Sequence, residues 1–189
     1  MTARSVGYLL HRTASRLRVD DRLATSCVSV CIDPATSIEF PTILQIPSKG
    51  ALPEFTLIGV GVRVVSFLKI KVYSVAFYAD LSNPNLKIPP STSPEEKVKY
   101  FIRNTAYTLR ITPISQVKTM FPNVPFTKDT PLDIVLTSPD PKKPRALIIR
   151  DLGAIQNEWV AREFVLLYFD GQGNSPALKQ SVFDRVAQL

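Results

Sequence analysis

The chain has 189 residues, with 23 Lys and Arg against 16 Asp and Glu, so its formal net charge is +7. This length suits one ordinary domain, and an apolar fraction of 45% is enough for a hydrophobic core. Seven glycines and two cysteines exclude collagen-like and disulfide-framework proteins. A membrane-spanning helix needs about 20 consecutive apolar residues. The uncharged runs here are much shorter, so no transmembrane span is predicted.

The first 32 residues differ in composition from the rest of the chain. Residues 1–19 contain four arginines and no acidic residue, with hydroxyl side chains between the arginines. This pattern is typical of a mitochondrial transit peptide, and the alternative is a basic tail without a targeting signal. We therefore predict a disordered basic leader over residues 1–32, one domain over residues 33–189, and a mitochondrial location.

Metal and disulfide chemistry have little support in the sequence. Cys27 and Cys31 lie in the leader, and His11 is the only histidine. A zinc site would need two further ligands, so two unconnected thiols are the simpler interpretation and no metal site is predicted. The single histidine also excludes histidine-based catalytic triads and di-histidine metal motifs.

The middle of the chain is predicted to be mostly β-structure. β-Branched and aromatic residues, which favour strands, are concentrated in several short segments. In chain order these segments are Ile38–Ile46, Leu57–Val65, Lys69–Tyr78, Tyr107–Thr112, Leu132–Thr137 and Ala146–Arg150. The first is predicted to be an edge strand, because Pro41 has no N–H to donate to a neighbour. A helix is predicted to begin at Ser93-Pro94-Glu95-Glu96, which supplies an N-cap, a first-turn proline and acidic residues.

The last third of the chain is predicted to be helical. Apolar residues that recur at three- and four-residue steps predict one buried helical face. These residues are Ile155, Trp159, Phe164, Leu167 and Tyr168. Asp170-Gly171 is expected to end this helix, and Ser175-Pro176 to begin another with Leu178, Val182 and Val186 on its buried face. Strands followed by helices, without βαβ alternation, predict an α+β domain with helices on a mostly antiparallel sheet.

The strand around Arg63 combines features that are unusual in an apolar strand. Alternation places Gly59, Gly61 and Arg63 on one face. The glycines are expected to open space over the sheet, into which the Arg63 guanidinium projects to bind a carboxylate or phenolate. Tyr73 of the next strand is expected to bring its hydroxyl near Arg63. The alternative is that Arg63 lies at an exposed sheet margin and the glycines mark bulges, and spacing alone does not separate the two.

Three blocks of sequence together resemble one known family. The blocks LIGVGVRVVSFLKIKVYSVAFYAD (57–80), KYFIRNTAYTLRITP (99–113) and LGAIQNEWVAREFVLLYFDGQGNSPALKQSVFDRV (152–186) are similar to chalcone-isomerase-like proteins. With the basic leader and IEFPTIL, the chain most resembles the fungal mitochondrial branch that is named for altered inheritance of mitochondria. The resemblance implies an open-faced β-sandwich, in which an antiparallel sheet carries a layer of helices on one face and the ligand cleft lies between them.

The resemblance also implies functions for individual residues. In the plant enzymes, the arginine of the G-x-G-x-R strand stabilises an anionic substrate during an intramolecular Michael addition, and Arg63 matches this arginine. Where those enzymes use a threonine to order water, this chain has Tyr73. An Arg–Tyr pair resembles instead the fatty-acid-binding branch, in which both groups hold a carboxylate, and the fungal mitochondrial branch, for which haem binding is reported.

Two departures from the plant enzymes argue against catalysis. Their helical segment after the strand that ends here at Pro113 supplies a tyrosine and an asparagine, whereas residues 114–120 are too few for it. Leu178 replaces the hydroxyl residue that follows their S-P motif. We therefore expect a shortened helical layer and assign no catalytic residue. Further cleft candidates, which more often belong to the core or the surface, are Tyr107, Arg110, Trp159 and Tyr168.

The favoured hypothesis is a non-catalytic mitochondrial protein that binds a small acidic or porphyrin ligand, either a fatty acid or haem. Its predicted ligand-binding residues are Arg63, Tyr73, Gly59 and Gly61. Haem would have to bind without an imidazole from the domain. One alternative is an intramolecular lyase of the chalcone isomerase type. The other is an interaction protein with a vestigial cleft, whose basic surface contacts a membrane peripherally. Nucleic acid is not expected as a partner, because the excess charge lies in the leader.

Overall fold

The computed structural model describes residues 29–48, 50–65, 69–88, 90–114 and 129–189. Within these residues lie nine strands and three helices. In chain order they are β1 (Val30–Ile32), β2 (Glu39–Pro41), β3 (Ile43–Leu44), β4 (Phe55–Val65), β5 (Ile70–Ala79), α1 (Pro94–Asn104), β6 (Tyr107–Pro113), β7 (Leu132–Leu136), β8 (Ala146–Ile149), β9 (Gly153–Gln156), α2 (Glu158–Leu166) and α3 (Pro176–Val186). The predicted leader lies outside the described residues except for residues 29–32, and β1 begins three residues before the predicted start of the domain.

Strands β3 to β9 form one antiparallel sheet in which the spatial order of the strands follows the chain. Strands β1 and β2 form a separate antiparallel pair. The predicted edge strand Ile38–Ile46 is therefore two strands, since the chain passes at Thr42 from the small sheet to the edge of the large one. The prediction of an α+β domain with a mostly antiparallel sheet is confirmed.

Each face of the large sheet carries its own apolar core. We call the face covered by α1, α2 and α3 the helix face, and its core includes Phe77, Leu109 and Leu178. We call the opposite face the N-terminal face, because the segment around β1 and β2 covers it; its core includes Phe40 and Tyr78. These five side chains are fully buried, so neither face of the sheet is left open at its centre.

Helix α1 begins where the sequence predicts and is held at both ends. Ser93 and Glu96 form a reciprocal capping box at its first turn. At the other end, the buried side chain of Arg145 donates to the carbonyls of Ile102, Arg103 and Thr105. These carbonyls have no partner within a helix, so the guanidinium satisfies groups that would otherwise be buried unpaired. Arg145 therefore ties β8 to the end of α1.

The helix predicted around Ile155–Tyr168 is confirmed from Glu158 to Leu166, but its predicted buried face is wrong at most positions. Residues Gly153–Gln156 form strand β9, and α2 begins only after Asn157, whose side chain accepts from the Val160 N–H. Three of the five predicted residues are exposed, by 45% for Ile155, 64% for Trp159 and 57% for Leu167. The apolar periodicity spans a strand and a helix, and the turn between β8 and β9 uses positive φ angles at Asp151 and Gly153.

The remaining C-terminal prediction is confirmed. Ser175 caps α3, and Leu178, Val182 and Val186 are fully buried on one face of that helix. In α2 the buried residues are Ala161 and Val165. Among the helices that the structure describes, none combines the length and apolarity needed to cross a membrane.

Candidate functional site

Arg63 and Tyr73 lie directly opposite each other on neighbouring strands. They are register partners on β4 and β5, on the helix face of the sheet, and both side chains are half-buried. A bulge follows Arg63, where the pairing shifts before Val64. The expectation that the Tyr73 hydroxyl lies on the same face as Arg63 and close to it agrees with this register.

The glycines of β4 do not open a cleft, and the expectation that they open space over the sheet is wrong. A Cβ atom added at Gly61 would lie 2.1 Å from the backbone nitrogen of Leu178, and one added at Gly59 would lie 2.7 Å from Val182 Cγ2. Both positions are therefore occupied by α3, which packs directly on the strand backbone. The space over Gly59 and Gly61 is filled by protein, so the structure gives these residues a packing function.

Two serines fix α3 on this glycine strip. The Ser175 hydroxyl donates to the carbonyl of Val62 at 2.9 Å, and the Ser181 hydroxyl accepts from the N–H of Val60 at 3.1 Å. Ser175 is fully buried and also accepts from the Leu178 N–H as the N-cap of α3. The start of α3 is thus held against β4 immediately beside Arg63.

The guanidinium of Arg63 is held by a neutral group. Its Nη1 donates to the backbone carbonyl of Asn174, in the connection between α2 and α3. Gly171 and Gly173 shape this connection with positive φ angles. Among the residues that the structure describes, no carboxylate lies within ion-pairing distance of Arg63. A half-buried cation therefore faces carbonyl and hydroxyl groups without a described counter-charge.

The structure brings Tyr168, one of the further cleft candidates, to Tyr73 beside Arg63. Its hydroxyl lies 3.0 Å from the hydroxyl of Tyr73, and its side chain is only 4% exposed. Burial, followed by the neighbouring Tyr73, raises the pKa of Tyr168, while Arg63 lowers it by a smaller amount. The Tyr168 hydroxyl thus stays protonated at neutral pH. In the sequence, Tyr168 lies just before the Asp170-Gly171 turn, in the same connection between α2 and α3 that supplies Asn174.

The other cleft candidates lie elsewhere. Tyr107 is buried in the helix-face core and donates to the Ala161 carbonyl, whereas Trp159 is exposed. Arg110 lies on the N-terminal face, where its Nε and Nη2 donate to the two carboxylate oxygens of Asp133 at 2.6 and 2.9 Å. Arg150 donates to the same carboxylate at 2.8 Å, and Asp133 is fully buried. Arg110 is therefore a structural residue of an ion-pair cluster.

Three surface cavities of the described part of the chain are lined by other residues than Arg63 and Tyr73. Two lie along α1 and share Lys99 and Arg103, and the third, of about 320 Å³, lies on the N-terminal face beside Arg110. No group of three metal-binding side chains occurs among the residues described. The predicted shortening over residues 114–120 falls, apart from Ile114, outside the described residues and stays a prediction.

Comparisons with known proteins agree with this fold. A family model described as chalcone isomerase like matches residues 53–97, which contain the Arg63–Tyr73 hairpin. Among solved structures, a fatty-acid binding protein from Arabidopsis thaliana matches with a TM-score of 0.61 and 15% sequence identity, over 85% of this chain and 98% of that one. A search of the curated proteins gives no match. The predicted chalcone-isomerase-like fold is confirmed, and the fungal mitochondrial branch stays a prediction.

Proposed function

We propose that this protein is a non-catalytic binding protein for a small hydrophobic carboxylic acid, which Arg63 and Tyr73 hold on the helix face. The observation that carries the proposal is the half-buried guanidinium of Arg63, which has a carbonyl partner but no described carboxylate partner. A guanidinium offers several N–H donors in one plane, so one bond to Asn174 leaves donors for an anion. Charge-assisted bonds of this kind are the strong ones.

The tyrosine pair supplies a second, neutral donor. Each hydroxyl can donate one hydrogen and accept others. Tyr168 is the more buried of the two. When the Tyr73 hydroxyl points its hydrogen away from Tyr168, the Tyr168 hydroxyl donates to the Tyr73 oxygen. In this arrangement Tyr73 places its own proton beside Arg63, where a ligand carboxylate accepts from both residues. Tyr168 is then a positioning residue that does not touch the ligand.

The packing of α3 sets the direction in which the ligand extends. Because α3 covers β4 from Gly61 toward Gly59, the apolar part of the ligand runs the other way, toward Val65 and Ile70. Both of these side chains are exposed, by 37% and 53%. A fatty acid fits this arrangement. The structural relative from Arabidopsis thaliana is a fatty-acid binding protein, which supports the same ligand class. Haem, whose propionates are also carboxylates, is the second ligand to test.

The wider setting belongs to the same proposal. The basic leader supports import into mitochondria, and the charge and the ligand class support peripheral contact with membranes. An intramolecular lyase is the less favoured function, because a proton donor or acceptor is needed at the reacting atoms. Beside Arg63, the described ionisable side chains are the tyrosines Tyr73 and Tyr168.

The test is a titration of the full chain with laurate, with dodecanol and with haem, followed by calorimetry for wild type and Arg63→Gln. We expect laurate to bind wild type saturably and dodecanol to bind much more weakly. Loss of a charge-assisted bond costs about 1.5–3 kcal/mol, so Arg63→Gln should weaken laurate binding by roughly 10- to 150-fold. Arg103→Gln, which removes an exposed arginine of α1, is the charge-matched control and should change nothing.

Equal laurate affinity in wild type and Arg63→Gln would refute the site, and no binding of any ligand by a folded chain would refute the function. If haem binds but laurate does not, the result supports the carboxylate site only if Arg63→Gln abolishes haem binding. Turnover of a chalcone by wild type would favour the lyase alternative instead.

A further inference from the structure

The end of the β4–β5 hairpin at which β4 ends and β5 begins has an apolar and basic composition. We define the hairpin tip as Val64 and Val65 of β4 together with Lys69, Ile70 and Lys71. The three aliphatic side chains are exposed, by 36%, 37% and 53% in chain order, and both lysines are exposed. Lys69 has a positive φ of 53°, so the chain turns sharply just before it enters β5. Aliphatic side chains flanked by lysines are therefore presented to solvent together.

No acidic residue is close to the hairpin tip in the sequence. Between Glu54 and Asp80 the chain contains Arg63, Lys69 and Lys71 but no acidic residue. Lys71 donates to the carbonyl of Ala35 at 2.6 Å, which leaves its charge uncompensated.

One acidic side chain lies in the loop that meets Lys71, and it is already satisfied. Asp33, two residues before Ala35, is 1% exposed and accepts from the hydroxyls of Thr36 and Ser74. Buried and fully bonded, this carboxylate does not form an ion pair with either lysine of the tip. The five residues of the hairpin tip therefore carry two positive charges and no negative charge.

The hairpin tip is continuous with the proposed ligand site. Val65 lies two residues beyond Arg63 on β4 and hence on the same face, with Ile70 as its register partner. Two residues of strand span about 7 Å. The polar headgroup layer on each side of a bilayer is roughly 5–8 Å thick. When the aliphatic side chains of the hairpin tip lie at the boundary between headgroups and acyl chains, the Arg63 guanidinium therefore lies at the level of the headgroups.

We propose that the hairpin tip is a docking surface for a bilayer that contains anionic lipids, and that it presents the Arg63 site to the headgroup layer. This inference rests on the peripheral membrane contact proposed above and names the surface that makes it. Another set of exposed apolar side chains, Leu152, Ile155 and Trp159, is less suited to anionic lipid. Acidic Asp151 and Glu158 flank that group, and both are exposed.

The first test measures binding of the full chain to vesicles of phosphatidylcholine, with and without phosphatidylserine, by co-sedimentation. We expect binding to the mixed vesicles that falls as salt is added. Lys69→Asn tolerates the positive φ and removes one charge, which should weaken binding about fivefold. Ile70→Ser removes a half-exposed aliphatic side chain and should weaken binding on the order of tenfold.

Matched controls separate the hairpin tip from general effects of charge and apolarity. Lys143→Asn removes a lysine that is 75% exposed in the turn before β8, and Leu152→Ser removes an aliphatic side chain that is 49% exposed. Neither control should change vesicle binding. Since the basic leader is present in every variant, equal binding of wild type, Lys69→Asn and Ile70→Ser would overturn the proposal and assign any binding to another surface.

A fluorescence probe locates the contact independently. In a Trp159→Phe background, Ile70→Trp places the single tryptophan in the hairpin tip, and its emission should shift to the blue on anionic vesicles. The wild-type chain reports from Trp159, which is exposed on α2 and should not shift. A blue shift of Trp159 without one at position 70 would overturn the proposal in favour of the acidic apolar group.

The proposed ligand site and the proposed docking surface can be refuted independently of each other. Lys69→Asn should weaken vesicle binding while laurate binding in solution persists, whereas Arg63→Gln should lose laurate and still bind vesicles within about fivefold of wild type. Normal laurate binding with vesicle binding unaffected by the tip variants would refute only the docking surface. Vesicle binding that depends on the tip without any laurate binding would refute only the proposed ligand function.

Discussion

The two faces of the sheet each carry an arginine on a strand, and the two arginines are satisfied in opposite ways. Arg110, on the N-terminal face, forms a bidentate ion pair with a fully buried carboxylate that Arg150 also contacts. Arg63, on the helix face, donates to a backbone carbonyl and lies beside two tyrosines. A charge that is neutralised within the fold has a structural function, whereas one without a described counter-charge is suited to an external anion.

The same contrast explains how the faces are filled. The N-terminal face is closed by a short segment around β1 and β2, and its polar groups are paired with each other. The helix face is closed by α3, which lies so close to β4 that only glycines fit beneath it. The proposed ligand site lies where α3 begins and the hairpin continues beyond it.

The largest expected effect is on the N-terminal face. Asp133→Ala removes the carboxylate that pairs both arginines, and breaking a buried ion pair costs about 3–5 kcal/mol. We expect the free energy of unfolding, measured with urea, to fall by that amount. The control Asp151→Ala removes a carboxylate that is 87% exposed and 3.6 Å from Arg150, and should cost much less. Equal costs for the two variants would show that the buried cluster contributes no special stability.

A smaller loss is expected from the glycine strip of the helix face. Gly61→Ala forces a methyl group against the backbone of Leu178, so α3 must shift, at a cost of about 3 kcal/mol. Thermal unfolding measures the cost, and Gly50→Ala, with nothing within 4 Å of the added methyl group, is the control. Stability equal to wild type in Gly61→Ala would mean that the strip is open space after all.

The smallest expected effect is a loss of stability at high pH, to which buried tyrosines on both faces of the sheet contribute. Burial is the main cause that raises the pKa of Tyr78 on the N-terminal face and of Tyr107 and Tyr168 on the helix face. Unfolded tyrosines ionise near pH 10, while these three stay protonated in the folded chain. The folded state then binds more protons, so stability is present below about pH 10 and falls above it.

Each buried tyrosine should lower the unfolding free energy by about 1.4 kcal/mol per pH unit above pH 10. Urea unfolding between about pH 9 and 11 should therefore show a shallower slope in Tyr78→Phe, in Tyr107→Phe and in Tyr168→Phe. Tyr168→Phe should also weaken laurate binding, whereas Tyr78→Phe should not. An unchanged slope in all three variants would contradict the assigned pKa shifts.

Much of the fold was predictable because local sequence signals agree with it. The strands of the Arg63 hairpin, the capping box at Ser93 and the buried face of α3 follow from propensity and periodicity alone. Strand β9 was missed because its apolar residues continue the helical spacing of α2, and only the backbone turn at Asp151 and Gly153 interrupts it.

The site was predictable only in part. Cross-strand register brings Arg63 and Tyr73 together, and the sequence placed both on neighbouring strands. What fills the space over Gly59 and Gly61 depends on a helix more than 100 residues later, and a single strand cannot show that contact. Tyr168 was named as a cleft candidate, but its contact with Tyr73 was not predicted for the same reason, since the two residues are 95 positions apart.

The distance along the chain between β4 and α3 also has a consequence for how the molecule is made. The hydrogen bonds from Ser175 to Val62 and from Val60 to Ser181 close loops of 113 and 121 residues. A growing polypeptide has therefore completed all the strands of the sheet before the helix that shields the glycine strip exists. Until then the glycine strip of β4 is uncovered on the nascent chain, and transiently exposed sheet surface of this kind is prone to aggregation.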